Sequence, residues 1–265
     1  MALALAQWRP YPVRSVWHNP AVVGDLLTVP DFYSSQFDNT RDLHVLLPAS
    51  YHHHPDRRYP VVYMQDGQNL FDHGTAFGGQ DWRVDETMRH LADEHVEAII
   101  VALDHTGERR VSEYNPFPSF WNGQGQRYVQ FLQETVKPLI DQDFRTRPDR
   151  AHTGIMGSSL GGLISLYAFF AARDTFGFAG AMSPAFWVGG GAIYNTVEQA
   201  PTLPGKLYLD NGTLEHSAHK MHDLLIKKGY QPDVTVKHVV EVNAGHTESA
   251  WARRLPDALR FLLKN

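Results

Sequence analysis

The sequence predicts an α/β fold, a mostly parallel central sheet with helices on both faces. Three observations carry this. Short β-branched runs alternate along the chain with longer stretches of helical period. One run, Ala98 to Leu103, is apolar at every position, as in a strand buried on both faces. No internal repeat or flexible linker interrupts the alternation. Strand–helix–strand order of this kind means parallel strands joined by helical crossovers.

The elements follow in order. Leu43 to Leu47 and Val61 to Gln65 read as the first two strands. No helical pattern separates them, so an antiparallel start is expected. Val84, Met88, Leu91 and Ala92 then share a helix face, and Ala98 to Leu103 forms the next strand. Tyr128, Leu132, Thr135, Val136 and Leu139 mark a second helix. Thr153 to Gly157 reads as a strand, followed by a helical stripe of Leu160, Leu163, Ile164, Tyr167 and Ala168. Gly180 to Met182, Lys206 to Asp210 and Val234 to Val240 read as the last strands. Met221, Leu224 and Leu225 mark a helix between the final pair, and Trp251, Leu255, Ala258, Leu259 and Leu262 a C-terminal one. A fold of this class often runs to ~250 residues as one domain, so residues 1–265 are expected to form a single unit.

Composition narrows the function. At 43% hydrophobic and 20% charged residues the chain can build one large core and is not intrinsically disordered. The net charge of −5 gives no basic field, so nucleic acid is not an expected partner. The absence of cysteine excludes disulfides, thiolate metal sites and a cysteine nucleophile. No stretch approaches the ~18 apolar residues of a membrane span, so no membrane partner is expected. A secretory signal wants ~7–15 apolar residues after positive charge. The run Ala2 to Ala6 is shorter and has no basic residue before it, so a cytoplasmic location is expected.

In open α/β sheets ligands bind beyond the carboxyl ends of the strands. Two long intervals there, Asp104 to Gly123 and Ser183 to Gln199, show no regular period but are rich in aromatics. Such loops are usually functional. Gly157-Ser-Ser-Leu-Gly161 matches G-x-S-x-G, between an apolar strand and an apolar helix. In this turn the glycines let strand and helix approach, and the central Ser159 is pushed out of the sheet. The helix N-terminus aims its dipole at the developing negative charge, with the Leu160 N–H as oxyanion donor. Ser158 is the weaker candidate, because Met156 stands where the first glycine should be.

A serine nucleophile needs a base, and in this architecture the order is Ser, Asp or Glu, His. Of the downstream histidines, His238 falls in a strand, and His216, His219 and His222 fall at the start of a helix. His246 lies in a short turn after the last strand and is the expected base. Asp210 and Glu215 are the candidate acids. Asp210 ends a strand, whereas Glu215 sits in the loop beyond it and is favoured; Asp210 stays open. The second oxyanion donor is assigned to the Gln68 N–H in the loop after Val61 to Gln65. Asp66 in that loop is an alternative metal ligand or acid.

The loops carry Trp82, Tyr114, Phe117, Phe120, Trp121, Phe186 and Trp187, with Arg109 and Arg110 beside them. Trp82, Tyr114, Trp121, Trp187 and the two arginines are expected to bind substrate, and they suit an aromatic or anionic acyl group. About half of the rings are expected to pack the loops instead, and at least one arginine to form an ion pair. His52, His53 and His54 read as solvated, and His216, His219 and His222, spaced by three, place two imidazoles one turn apart as His-x-x-His without a third ligand. No metal and no cofactor are expected.

Met64-Gln-Asp-Gly-Gln-Asn-Leu-Phe71, Trp82-Arg-Val-Asp-Glu86, Glu108-Arg-Arg110 with Glu113-Tyr114, Met156-Gly-Ser-Ser-Leu-Gly-Gly162, Ser183-Pro-Ala-Phe-Trp187 and Gly245-His246 occur in this order. Together they resemble the putative esterase family, which groups esterase D-like enzymes, enterochelin esterases and carbohydrate-esterase feruloyl and acetyl esterases. The resemblance runs from about Thr40 to the C-terminus. It implies an α/β-hydrolase fold and serine hydrolysis of a small-molecule ester. It carries the nucleophile onto Ser159, the base onto His246 and the acid onto Glu215, where feruloyl esterases of this type have Asp. An acyltransferase with the same triad and a non-catalytic binding protein of the same fold are the alternatives.

Overall fold

The computed structural model describes residues 7–12 and 22–264. The N-terminal run Ala2 to Ala6 lies outside the described residues. The strands are β1 Arg9–Pro10, β2 Leu26–Ser34, β3 Asn39–Leu46, β4 Val61–Gln65, β5 Ile99–Leu103, β6 Thr153–Ser158, β7 Phe178–Met182, β8 Lys206–Gly212 and β9 Val236–Glu241. They form one sheet in the order β1-β2-β3-β5-β4-β6-β7-β8-β9. The pairings from β5 through β9 are parallel, and those joining β1, β2, β3 and β5 are antiparallel.

The helices are α1 Val84–Asp93, α2 Arg110–Tyr114, α3 Gly125–Phe131, α4 Lys137–Asp143, α5 Leu160–Ala171, α6 Val188–Gln199, α7 His219–Lys227 and α8 Glu248–Leu263. A π turn, Leu132–Val136, joins α3 to α4. Among the described residues no helix is long and apolar enough to cross a membrane.

The two-residue period of the strands divides the core into two layers. Val61, Tyr63, Ile99, Val101, Ile155, Leu207 and Leu209 join one apolar cluster with Tyr128, Leu163, Ile193 and Leu225 from the helices of that face. Their neighbours Val62, Met64, Ile100, Ala102, Met156 and Tyr208 join a second cluster with Met88 and Leu91 of α1 and Trp251, Leu255 and Leu259 of α8. Each fully buried aliphatic side chain contributes about 1.5–3 kcal/mol relative to exposure.

Three expectations need correction. The strands β3 and β4 do not pair, because β5 lies between them. The antiparallel start is instead β2 with β3. The strand β2 escapes pattern reading because Pro30 and left-handed Asp31 (φ 51°) interrupt it, and its register shifts between Val29 and Phe32. The interval Ser183 to Gln199 is largely α6. Its opening glycines, Gly189, Gly190 and Gly191, hold left-handed φ of 64°, 67° and 79° before regular helix begins, which hides the helical period.

Candidate active site

Ser159 stands between β6 and α5 with φ 56° and ψ −120°, a conformation that L-residues rarely adopt. The turn is held by the Ser159 N–H to Met182 O (2.9 Å) and by the Ala185 N–H to Ser159 O (2.9 Å). A Cβ on Gly157 would stand 2.8 Å from the Gly161 carbonyl carbon and 2.8 Å from Gln65 Cγ. Glycine is therefore required there, and strand and helix close on each other as the motif demands. Leu160 begins α5, so its N–H belongs to the unpaired first turn beside Ser159.

His246 follows β9 and immediately precedes Thr247, whose hydroxyl caps α8 by accepting the Ala250 N–H (3.4 Å). The cap fixes where the turn ends and so where the imidazole stands. Its Nδ1 lies 2.7 Å from Glu215 Oε2. The Glu215 side chain is 5% exposed and that of His246 is 45% exposed. Ser159, Glu215, His246, Ser183, Trp187 and His216 line one cavity of about 710 Å³. Among the described residues no hydrogen bond yet joins Ser159 to His246; such bonds often tighten only with substrate bound.

Glu215 is set by a buried polar network that pattern reading missed. Its Oε1 accepts from the Gly212 N–H (2.5 Å) and from the Ser183 hydroxyl (2.7 Å). Arg254 of α8 approaches the same oxygen at 3.7 Å. Burial works to raise the Glu215 carboxyl, but His246, the Gly212 N–H and Ser183 overcome it and hold it below its usual range. Asp210 has a different place. It is fully buried, accepts the Ser183 N–H (2.9 Å) and lies 3.2 Å from Arg254 Nε. Burial pushes its carboxyl up to about 7, against the opposing pull of Arg254. It faces Arg254 rather than His246.

The remaining candidates divide. Trp187 lines the Ser159 cavity and is 52% exposed, whereas Trp121, 53% exposed, lines neither that cavity nor the adjoining one and meets the Trp187 ring edge-on at 6.1 Å. Trp187, Pro184 and His216 also line an adjoining cavity with Tyr194, Glu198 and Lys220, so the two spaces form one groove. Lys220, which sequence reading did not single out, places a cation there. Trp82 is a correction: it is 1% exposed and packs on Trp251 in the core, at 5.5 Å between ring centroids. Tyr114 is another, fully buried, with its hydroxyl accepting the Asp66 N–H (3.3 Å). Arg110 forms a two-pronged ion pair with Asp66 (2.6 and 2.8 Å), which commits Asp66 and accounts for one arginine. Arg109 is exposed and does not line the Ser159 cavity. Gln68 lines a separate cavity with His44 and Asp104, not the one that Ser159 lines.

The family model described as Putative esterase matches residues 34–262. The protein YbbA of Bacillus subtilis (strain 168) is 25% identical over 226 residues, covering 77% of this chain and 85% of the relative. An Iron(III) enterobactin esterase of Dickeya dadantii (strain 3937) is 27% identical over 260 residues, 89% of this chain. The chain spans only about half of that relative's length, 55%. A solved ferulic acid esterase superposes with a TM-score of 0.72 at 20% identity, covering 91% of this chain and 98% of the other. That likeness shows the fold, the α/β-hydrolase arrangement of a mostly parallel sheet between helices.

Proposed function

The chain belongs to the Putative esterase family and by that membership is a carboxylic-ester hydrolase; from that premise we propose that Ser159, His246 and Glu215 form its catalytic triad. The observation that carries this is the 2.7 Å contact of His246 Nδ1 with Glu215 Oε2, in a cavity that Ser159 also lines. The carboxylate accepts a hydrogen bond from the Nδ1–H, which stays on the ring, and so leaves the Nε2 lone pair free to take the proton of Ser159 Oγ as it attacks the ester carbonyl. The tetrahedral oxyanion is stabilised by the Leu160 N–H and the dipole of α5. The imidazolium returns its proton to the leaving alcohol, and water then cleaves the acyl-enzyme by the same route. A single domain suffices for this chemistry.

The substrate is proposed to carry an aromatic or anionic acyl group. Trp187 lines the groove with Trp121 packed edge-on against it, and Lys220 lines the adjoining part beside Glu198. Two of the relatives are named for esters of this kind, a ferulic acid esterase and an Iron(III) enterobactin esterase. Hydrolysis of p-nitrophenyl acetate, butyrate and ferulate tests the substrate class, with ferulate expected to show the highest kcat/KM. An organophosphonate should label Ser159 stoichiometrically. An adduct on another residue, by mass spectrometry, would remove the proposed nucleophile.

A further inference from the structure

Outside the Ser159 cavity, three imidazoles converge between α7 and β9. His219 and His222 are three residues apart at the start of α7 and so share a face. His238 on β9 brings its ring centroid within 5.4 Å of His222 and 5.9 Å of His219, and the two helical rings are 6.1 Å apart. One ligand nitrogen from each lies within 4.8 Å of the other two. The third ligand thus comes from a strand, and His216 is not part of the cluster.

The surroundings suit a metal. His238 Nε2 lies 2.9 Å from Asn211 Oδ1. An amide oxygen only accepts, so Nε2 carries the proton and Nδ1 keeps its lone pair. Metal-binding histidines are commonly held this way by an oxygen behind the ring. His222 Nδ1 is buried and has no hydrogen-bond partner among the described residues. Asp223 places one carboxylate oxygen 3.5 Å from His219 Nε2 and the other 3.6 Å from His222 Nδ1.

We propose that His219, His222 and His238 bind one divalent transition-metal ion of the zinc class, with Asp223 or water as the fourth ligand. Neutral imidazole suits zinc, nickel and copper, and a carboxylate or water completes a four-coordinate zinc site. Bonds of ~2.0–2.1 Å need the nitrogens somewhat closer together, which small rotations of partly exposed side chains supply. None of the three lines the Ser159 cavity, so the ion does not touch the ester. Its effect is mechanical. Asn211 also accepts the Ala218 N–H (2.9 Å), where the Glu215 loop enters α7, so the ion ties the far end of that loop to β9.

The chain has 15 histidines, and His52, His53 and His54 form a separate exposed run, so the test must distinguish the two places. The intact protein is titrated with zinc and with cobalt. One equivalent should bind, cobalt should give the visible spectrum of a four-coordinate site, and zinc should raise the Tm. His222→Ala and His219→Ala should each weaken binding by at least the ~10–100-fold that loss of an outer hydrogen-bond partner costs. The variant with His52, His53 and His54 all changed to Ala should bind like wild type. His219 is exposed at the helix start, so its replacement keeps the test valid if His222→Ala fails to fold. Absence of stoichiometric binding to wild type would overturn the proposal. So would binding that survives in His219→Ala but disappears in the triple variant.

Discussion

The Ser183 hydroxyl donates to Glu215 Oε1 at 2.7 Å, while the other oxygen of that carboxylate meets His246 Nδ1 at 2.7 Å. Ser183 Oγ itself accepts from Trp251 Nε1 and Arg254 Nη2, each at 2.8 Å. With both lone pairs engaged, its one proton is directed at Glu215. Ser183 is therefore a positioning residue. Ser183→Ala should lower kcat with little change in KM, because it frees the carboxylate to rotate away from the imidazole. It should also cost about 1–3 kcal/mol of stability, since two buried donors lose their acceptor. Steady-state kinetics and urea unfolding check both; an unchanged kcat would show that Glu215 is held without it.

His246→Ala should reduce kcat on the order of 10⁴-fold or more, with little effect on folding. The imidazole is 45% exposed and caps no element. Members of a triad act as one unit, so Ser159→Ala on top of His246→Ala should cost little more. Additive losses in the double variant would mean that the two residues act separately.

Much of this arrangement was legible in the sequence, for definite reasons. The strands β4, β5 and β6 are short apolar runs buried on both faces, and each falls where its run begins and ends to within a residue. Ser159 was visible because its turn tolerates only glycine two residues before it. His246 and Glu215 were visible as loop residues after successive strands. The network behind them was not. Arg254 sits on an amphipathic helix, where a charged residue reads as solvent-facing, yet it is 5% exposed among Asp210, Glu215 and Glu241. Trp82 and Tyr114 show the converse, since a loop aromatic carries no mark of whether it turns inward. His238 has in sequence only the mark of a strand residue, and the packing of α7 on β9 brings it to His219 and His222.

Trp187→Ala should lower kcat/KM for the ferulate ester more than for the acetate ester. The ring stands on the rim of the groove, and an aromatic pair is worth about 0.5–1.5 kcal/mol, or roughly 2- to 10-fold. Equal losses on both esters would place Trp187 in the architecture of the site rather than in recognition of the acyl group.

Asp210 should make stability pH-dependent. Its carboxyl is pushed by burial from the usual 3.8 up to about 7 in the folded protein. Between these values the folded state holds the proton more tightly than the unfolded chain, so this group's contribution is present at the acid end and is lost as pH rises through the window. Asn has no such proton. The Tm of wild type relative to Asp210→Asn should therefore fall from about pH 4 to about pH 7 and level off above. Parallel Tm curves for the two proteins would show that Asp210 is ionised throughout.

Glu215→Gln is the decisive substitution for the triad. Glutamine keeps the size of the side chain but can present its NH₂ to His246 Nδ1, and then the imidazole must carry its proton on Nε2, where it cannot accept from Ser159. By analogy with the serine-protease case the loss in kcat reaches ~10⁴. Stability should fall as well, by about 1–3 kcal/mol, because Oε1 takes both the Gly212 N–H and the Ser183 hydroxyl and stands near Arg254. The sign with pH is opposite to that of Asp210. The folded-state carboxyl of Glu215 is held low, so its contribution is present above the ordinary glutamate range and is lost as pH falls through the folded value. Asp210→Asn, one strand-end away, should keep most of its turnover because that carboxylate faces Arg254. Measuring kcat and Tm for the two variants decides between the acids: a silent Asp210→Asn enzyme beside an active Glu215→Gln enzyme would move the triad acid to the end of β8.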